Sequence, residues 1–205
     1  MFVKICGITR LGDALEAVEA GARALGFVFW PDSPRFIDPY RARAIAERLP
    51  AFVTAVGVFV NQPSEHVTGV ASLVHLGAIQ LHGDETVEYA AALRRPVIKA
   101  VTIAGNPDQW PRETTILLDA HDPIRRGGTS QTIDWNAASP IAARRRVLLA
   151  GGLKPENVAA AIECVRPFGI DVSSGVEHEP GIKDSKRLRA LFEAVHDASH
   201  HPARS

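Results

Sequence analysis

A chain of 205 residues, 46% hydrophobic and 22% charged, can bury one large core, and its length favours one domain over two. Its 23 basic and 23 acidic side chains cancel, with no long run of one sign that would suit nucleic acid or an anionic membrane, so the expected partner is a small molecule. Two cysteines, Cys6 and Cys164, give no disulfide framework and fit a reducing compartment, with the cytoplasm as the default; the first residues lack a signal peptide's apolar stretch, and no segment has the ~20 apolar residues of a membrane span.

Short apolar, β-branched runs recur along the chain and predict eight strands: Phe2 to Cys6, Leu25 to Phe29, Ala55 to Val60, Ala78 to His82, Val97 to Val101, Thr115 to Asp119, Arg146 to Ala150 and Gly169 to Ser173. Helical patterns over Asp13 to Ala22, Pro39 to Leu49, Ser64 to Leu76, Glu85 to Arg94, Pro155 to Val165 and Asp184 to His196 separate most of them, with Pro39 and Pro155 read as helix starts. The segments after the fifth and sixth strands carry the weakest helical pattern. Such alternation yields parallel βα units. Eight repeats in so few residues favour closure into an α/β single-domain (β/α)8 TIM barrel over residues 1–199, with a frayed polar tail from 200 to 205. An open doubly wound sheet is the competing architecture. It would gather its polar groups at one switch point, whereas here they appear at the ends of nearly every strand.

In such a barrel the carboxyl ends of the strands open into the active site, which makes Cys6 a candidate reactive group; the bland alternative is an inert, buried thiol. Side chains alternate faces along a strand, so Lys4 and Cys6 are expected inward with Ile5 against the helices. The same parity sends Gln80, His82 and Asp119 inward, and Lys99 and Asp171 are expected to follow it. Unpaired charges inside a barrel are costly, so this polar set reads either as a site or as charges neutralising one another in the core.

The turns after the last two strands suit a phosphate. Ala150-Gly151-Gly152-Leu153 precedes a helix, and Asp171-Val172-Ser173-Ser174-Gly175-Val176 adds two hydroxyls; phosphate sites in these barrels form from these two loops and the start of a short extra helix. Two further loops could close over a ligand. Trp30 to Phe36 offers Arg35 as a planar fork for a carboxylate, and His121 to Trp135, with Arg125-Arg126-Gly127-Gly128-Thr129-Ser130, reads as a lid or as a plain long loop. None of the eight histidines has metal-site spacing, and no nucleotide-binding glycine motif occurs, so neither a metal nor a cofactor is expected.

These segments, in this order, resemble the N-(5'-phosphoribosyl)anthranilate isomerases of tryptophan biosynthesis. Lys4-Ile5-Cys6-Gly7-Ile8-Thr9 is similar to the family's opening signature, and Gly26 to Phe29 through Ser33-Pro34-Arg35 to its second-strand segment. Val58 to Asn61, Gln80 to Asp84, Leu118-Asp119, Gly127-Gly128-Thr129, Ala150 to Leu153, Asp171 to Glu177 and Pro180 to Asp184 continue the likeness, over residues 2 to about 190. One departure falls in the lid, where Ser130 and Ile133 stand in place of the family's usual glycine and aromatic residue.

The resemblance implies a cofactor-free Amadori rearrangement of an aminoaldose to an aminoketose. Asp119 would be the acid that protonates the ribose ring oxygen, and Cys6 the base that removes the C2' proton. A thiol serves as base when its pKa falls from about 8.5 toward working pH, whereas the carboxyl must be raised from about 3.9 by burial or an anionic neighbour. Arg35 would take the anthranilate carboxylate, the Gly151-Gly152 and Ser173-Ser174 loops the phosphate, with Gln80, His82 and Asp171 as pocket residues. A phosphorylated small molecule is then the ligand of a monomer or homodimer, with no nucleic acid or membrane partner. Two rivals differ at single positions. The related aminoaldose isomerase of histidine biosynthesis carries aspartate where this chain has Cys6, and a silent sugar-phosphate-binding barrel would lack the acid or the base, both of which are present.

Overall fold

In the computed structural model, which describes residues 1–120 and 133–200, eight parallel strands form one closed barrel in chain order. They are β1 (Phe2–Cys6), β2 (Ala24–Val28), β3 (Thr54–Phe59), β4 (Ala78–Leu81), β5 (Val97–Val101), β6 (Thr115–Leu118), β7 (Val147–Leu149) and β8 (Gly169–Val172). The ring closes where β1 pairs with β8, from Phe2 opposite Gly169 to Ile5 opposite Val172. Several predicted strands run one residue further than this, and the hydrogen bonds explain the difference. The N–H groups of His82, Asp119 and Ala150 still donate to Phe59, Val101 and Leu118 of the neighbouring strand, although the backbone beyond them turns away. The residues that face the barrel mouth are therefore held by the last rung of the ladder.

Helices α1 (Leu11–Ala20), α2 (Pro39–Ala46), α3 (Ser64–Leu73), α4 (Val87–Ala92), α5 (Trp135–Ala142), α6 (Val158–Val165) and α7 (Ser185–His200) pack outside. Local chemistry sets their ends. Asp38 caps α2 by accepting from the N–H groups of Tyr40 and Arg41, with Pro39 at the first helical position, a contribution of about 1 kcal/mol. Gly21, at φ 119°, ends α1 two residues before the expected limit at Ala22. Pro155 does not start a helix: α6 begins at Val158, because the Asn157 side chain is engaged with Lys154 N–H and the Gly152 carbonyl in a turn. Glu85 likewise lies outside α4, its carboxylate being held by the N–H groups of Asn61 and Gly83. After β5 only a single 3-10 turn forms, Pro107–Gln109.

Side-chain alternation separates two cores. Ile5, Leu25, Phe27, Phe59, Ile79, Leu81, Ile116, Leu118, Val147, Leu149, Ile170 and Val172 belong to the layer between barrel and helices. Inside, Ala24, Val56 and Ala78 pack with Phe2 and Ile98, and Leu117, Leu148 and Ala150 pack with Ala100. Lys99 therefore points outward, contrary to expectation, since its neighbours Ile98 and Ala100 occupy the interior. Its ammonium is buried against the helix layer, 2.8 Å from Glu85 Oε2, 2.7 Å from the Gly83 carbonyl and 5.5 Å from the Trp110 ring centre. An antiparallel hairpin that the sequence pattern does not reveal, β9 (Glu177–Glu179) with β10 (Ile182–Lys183), follows β8. No helix among the described residues is long and apolar enough to cross a membrane. Residues 121–132 of the expected lid, with Gly127-Gly128-Thr129-Ser130, and 201–205 of the tail lie outside the described residues.

Candidate active site

Cys6, Arg35, Gln80, His82, Asp119, Gly151, Gly152, Asp171, Ser173 and Ser174 all line one cavity of about 610 Å³ at the carboxyl ends of the strands. That volume suits a small organic ligand. Trp30, Val28, Val58 and Val60 supply an apolar wall beside the charged groups. A smaller cavity of about 320 Å³ borders it and shares His82 and Asp119.

The thiol stands in a space that glycine creates. Gly26 on β2 faces inward beside β1, and a Cβ there would lie 2.7 Å from Cys6 Sγ and 3.0 Å from Lys4 Nζ. Lys4 is fully buried, and its ammonium donates to Asp171 Oδ1 at 2.8 Å, so this part of the polar set is a neutralised pair as well as a cavity feature. Burial works against the Lys4 charge, but Asp171 and then Cys6 outweigh it and hold the ammonium above its ordinary value. Burial pushes the Cys6 thiol up; Lys4 pulls it back, and Asp171 adds to the rise. The thiol is thus shifted opposite to what a base at neutral pH requires.

Across the mouth, Asp119 is fixed at both oxygens. Its Oδ1 accepts from the Ala120 N–H at 2.8 Å, and Oδ2 stands 3.3 Å from His82 Nε2. The other imidazole nitrogen, Nδ1, is 3.0 Å from Gln80 Nε2, so β4 and β6 present a row of Gln80, His82 and Asp119. Parity along these strands brings the three to one face, as expected from the sequence.

The two glycine-bearing loops meet back to back. Gly151 and Gly152 adopt φ values of 79° and 60°, a conformation that glycine takes without strain. Ser173 precedes a single 3-10 turn, Ser174–Val176. Within it a Cβ on Gly175 would fall 1.9 Å from the Leu153 carbonyl oxygen, so backbone presses on backbone. The Ser173 hydroxyl is buried and makes no hydrogen bond among the described residues.

Arg35 reaches the cavity but is not a free fork. Its Nε lies 2.9 Å and its Nη2 2.7 Å from the Glu177 carboxylate, which also accepts from Lys183 Nζ at 2.8 Å. Burial raises the Glu177 carboxyl, yet Arg35 and Lys183 outweigh it and hold it below the usual carboxylate range. Burial lowers Lys183, against the pull of Glu177. Neither residue emerges from periodicity, because β9 and β10 are three and two residues long. The signals that mark them are the Asp171 to Glu177 and Pro180 to Asp184 segments of the family likeness.

A family model described as N-(5'phosphoribosyl)anthranilate (PRA) isomerase matches residues 3–194. The N-(5'-phosphoribosyl)anthranilate isomerase of Thermotoga maritima is 51% identical over 197 residues, 93% of this chain and 96% of its own. A solved structure of that organism's enzyme describes mutually generated monomers of a dimeric protein, with 44% identity, a TM-score of 0.85, and coverage of 96% of this chain and 98% of that one. The phosphoribosyl anthranilate isomerase of Thermus thermophilus superposes with a TM-score of 0.88 at 45% identity, covering 96% and 99% of the two chains. A third structure, at 46% identity and TM-score 0.83 over 96% and 98%, is an isomerase in complex with reduced 1-(o-carboxyphenylamino)-1-deoxyribulose 5-phosphate.

Proposed function

The chain belongs to the N-(5'-phosphoribosyl)anthranilate isomerase family, and from that premise we propose that Cys6 and Asp119 are the base and acid of its reaction. It is an isomerase of tryptophan biosynthesis that converts N-(5'-phosphoribosyl)anthranilate to 1-(2-carboxyphenylamino)-1-deoxyribulose 5-phosphate by an Amadori rearrangement. The observation that carries the residue assignment is the convergence of all ten sequence-selected residues on one cavity.

The rearrangement is redox-neutral and runs on proton transfers. Asp119 delivers a proton to the ribose ring oxygen as the C1' to ring-oxygen bond breaks and the lone pair of the anthranilate nitrogen forms the C1'=N bond, leaving a protonated Schiff base conjugated with the aryl ring. Cys6 then takes the C2' proton, and the electron pair moves into the C2'–C1' bond to give an enolamine that tautomerises to the ketone. The positive Schiff base offsets the burial that holds the thiol up, so the thiolate becomes accessible when the electrophile is in place. Arg35 faces the substrate carboxylate, Gly151, Gly152, Ser173 and Ser174 cradle the phosphate, and Gln80, His82 and Asp171 complete the pocket.

The ligand is a phosphorylated small molecule. We assign residues 1–199 to one domain and the enzyme to the cytoplasm, where the free thiols Cys6 and Cys164 stay reduced. A homodimer through the amino-terminal face of the barrel fits the exposed aromatics there: Phe52 is 94% exposed at φ 71°, and Phe168 is also exposed.

The test is turnover of freshly generated phosphoribosylanthranilate by the wild type, Cys6→Ser and Asp119→Asn, followed by loss of substrate fluorescence and chromatography of the aminoketose. Each substitution should lower kcat by about 100-fold or more while ligand binding persists. Healthy variants would move the acid and base elsewhere, and a folded wild type that binds without turnover would restore the silent-barrel reading.

A further inference from the structure

A buried ammonium beside the mouth lies outside the proposed catalytic pair. Lys183 Nζ, buried in the β9–β10 hairpin, donates to the Cys6 carbonyl, the Ser173 carbonyl and Glu177 Oε1. The Lys183 N–H donates to Asp13 Oδ2 at 2.8 Å, which ties the hairpin to α1. Glu177 accepts from Lys183 on one side and from Arg35 on the other, with its side chain only 4% exposed. Strands β1, β2 and β8 thus refer their active-site ends to one buried ion cluster.

We propose that Glu177 is a positioning residue for Arg35, holding the guanidinium by Nε and Nη2 so that the Nη1 edge alone meets the substrate carboxylate, with Lys183 fixing Glu177 to the backbone of Cys6 and Ser173. This rests on the reading that Arg35 anchors that carboxylate. Two cations around one carboxylate leave one positive charge uncompensated, so the cluster stays attractive to an anion after Glu177 is satisfied. The stem of Arg35 is confined as well. Gly7, at φ 76°, lies under it, and a Cβ there would meet Arg35 Cδ at 2.6 Å and Ser173 Oγ at 3.0 Å. With the stem resting on Gly7 and two fork nitrogens taken, the guanidinium keeps one orientation before substrate arrives. The entropy of ordering a long side chain is then spent in folding and not in binding. An aryl carboxylate ortho to the amine is read from one direction only.

The experiment is a double-mutant cycle on phosphoribosylanthranilate turnover with wild type, Arg35→Ala, Glu177→Gln and the double variant, each checked for folding by thermal melting. If Glu177 acts through Arg35, Glu177→Gln raises KM by about tenfold with kcat within about twofold, and in the Arg35→Ala background it adds nothing further. An equal rise in both backgrounds overturns the proposal, since the effect would then come from packing, and so does an unchanged KM in Glu177→Gln. An unchanged KM in Arg35→Ala defeats the anchoring reading itself and the positioning role with it. Should Glu177→Gln not fold, Glu177→Asp keeps the charge but withdraws the carboxylate by one methylene, and its smaller KM rise should vanish in the same way without Arg35.

Discussion

Replacing Gly175 by alanine should separate the two halves of the phosphate cradle. The added Cβ would stand 1.9 Å from the Leu153 carbonyl oxygen, 2.9 Å from its carbonyl carbon and 3.0 Å from Lys154 Cα, all backbone atoms that no rotamer change can move. Ordinary carbon–oxygen contact begins near ~3.3 Å, so the loops after β7 and β8 must part by more than ~1 Å. Overpacking of this kind costs about 1–3 kcal/mol, which for a chain of this size lowers Tm by roughly 2–12 °C. A misplacement of ~1 Å at a substrate anchor costs on the order of 100-fold in kcat/KM. The assay pairs thermal unfolding with kcat/KM and with inhibition by inorganic phosphate, which should weaken in step. Gly69→Ala is the internal control: it lies in α3 with nothing within 4 Å of the added methyl, and should stabilise by about 0.5–1 kcal/mol without touching kinetics. A Gly175→Ala protein with unchanged phosphate inhibition and kcat/KM would refute the steric argument.

Asp171→Asn should destabilise the fold by about 3–5 kcal/mol in urea titration, because it leaves the fully buried Lys4 ammonium without its partner at 2.8 Å; a loss below about 1 kcal/mol would mean that Lys4 is compensated elsewhere. Glu177 predicts an acid limb. Its folded carboxyl sits below the ordinary 4.5, so its stabilisation is fully present above that pH and is lost as pH falls through the folded value. Urea midpoints should therefore drop more steeply below pH 4.5 in the wild type than in Glu177→Gln, and parallel curves would contradict the ion cluster. Phe52→Glu should convert a sedimenting dimer to monomer with turnover retained, whereas a dimer that survives the change places the interface elsewhere.

Strand-end parity made much of the site legible. A period of two along Lys4-Ile5-Cys6, Gln80-Leu81-His82 and Leu117-Leu118-Asp119 needs only one buried apolar neighbour to fix the phase, and Ile5, Leu81 and Leu118 provide it. On β5 the same argument failed because Val97-Ile98-Lys99-Ala100-Val101 is apolar on both faces. The sequence alone cannot say which side faces the helices, and Glu85, the partner of Lys99, lies fourteen residues away. Helix α5 was hidden by Pro140 in its middle, although Asp134 at its cap accepts from Asn136 and Ala137. The Arg35, Glu177 and Lys183 cluster was illegible for a different reason. Its members are 142 and 6 residues apart, and a hairpin of so few residues leaves no period to read.

The pairing of β1 with β8 has a consequence for the order of events during synthesis. Lys4 lies in the first strand of the barrel and Asp171 in the last, 167 positions later, so the rung that joins them cannot form until all eight strands have left the ribosome. Until then the growing sheet has two open edges, one at β1 and one at whichever strand came last, and both invite pairing with other chains. The thiol and the phosphate loops meet across that same seam. Competence to handle a reactive aminoaldose therefore arrives together with the disappearance of the last free edge, and no incomplete chain holds a working site.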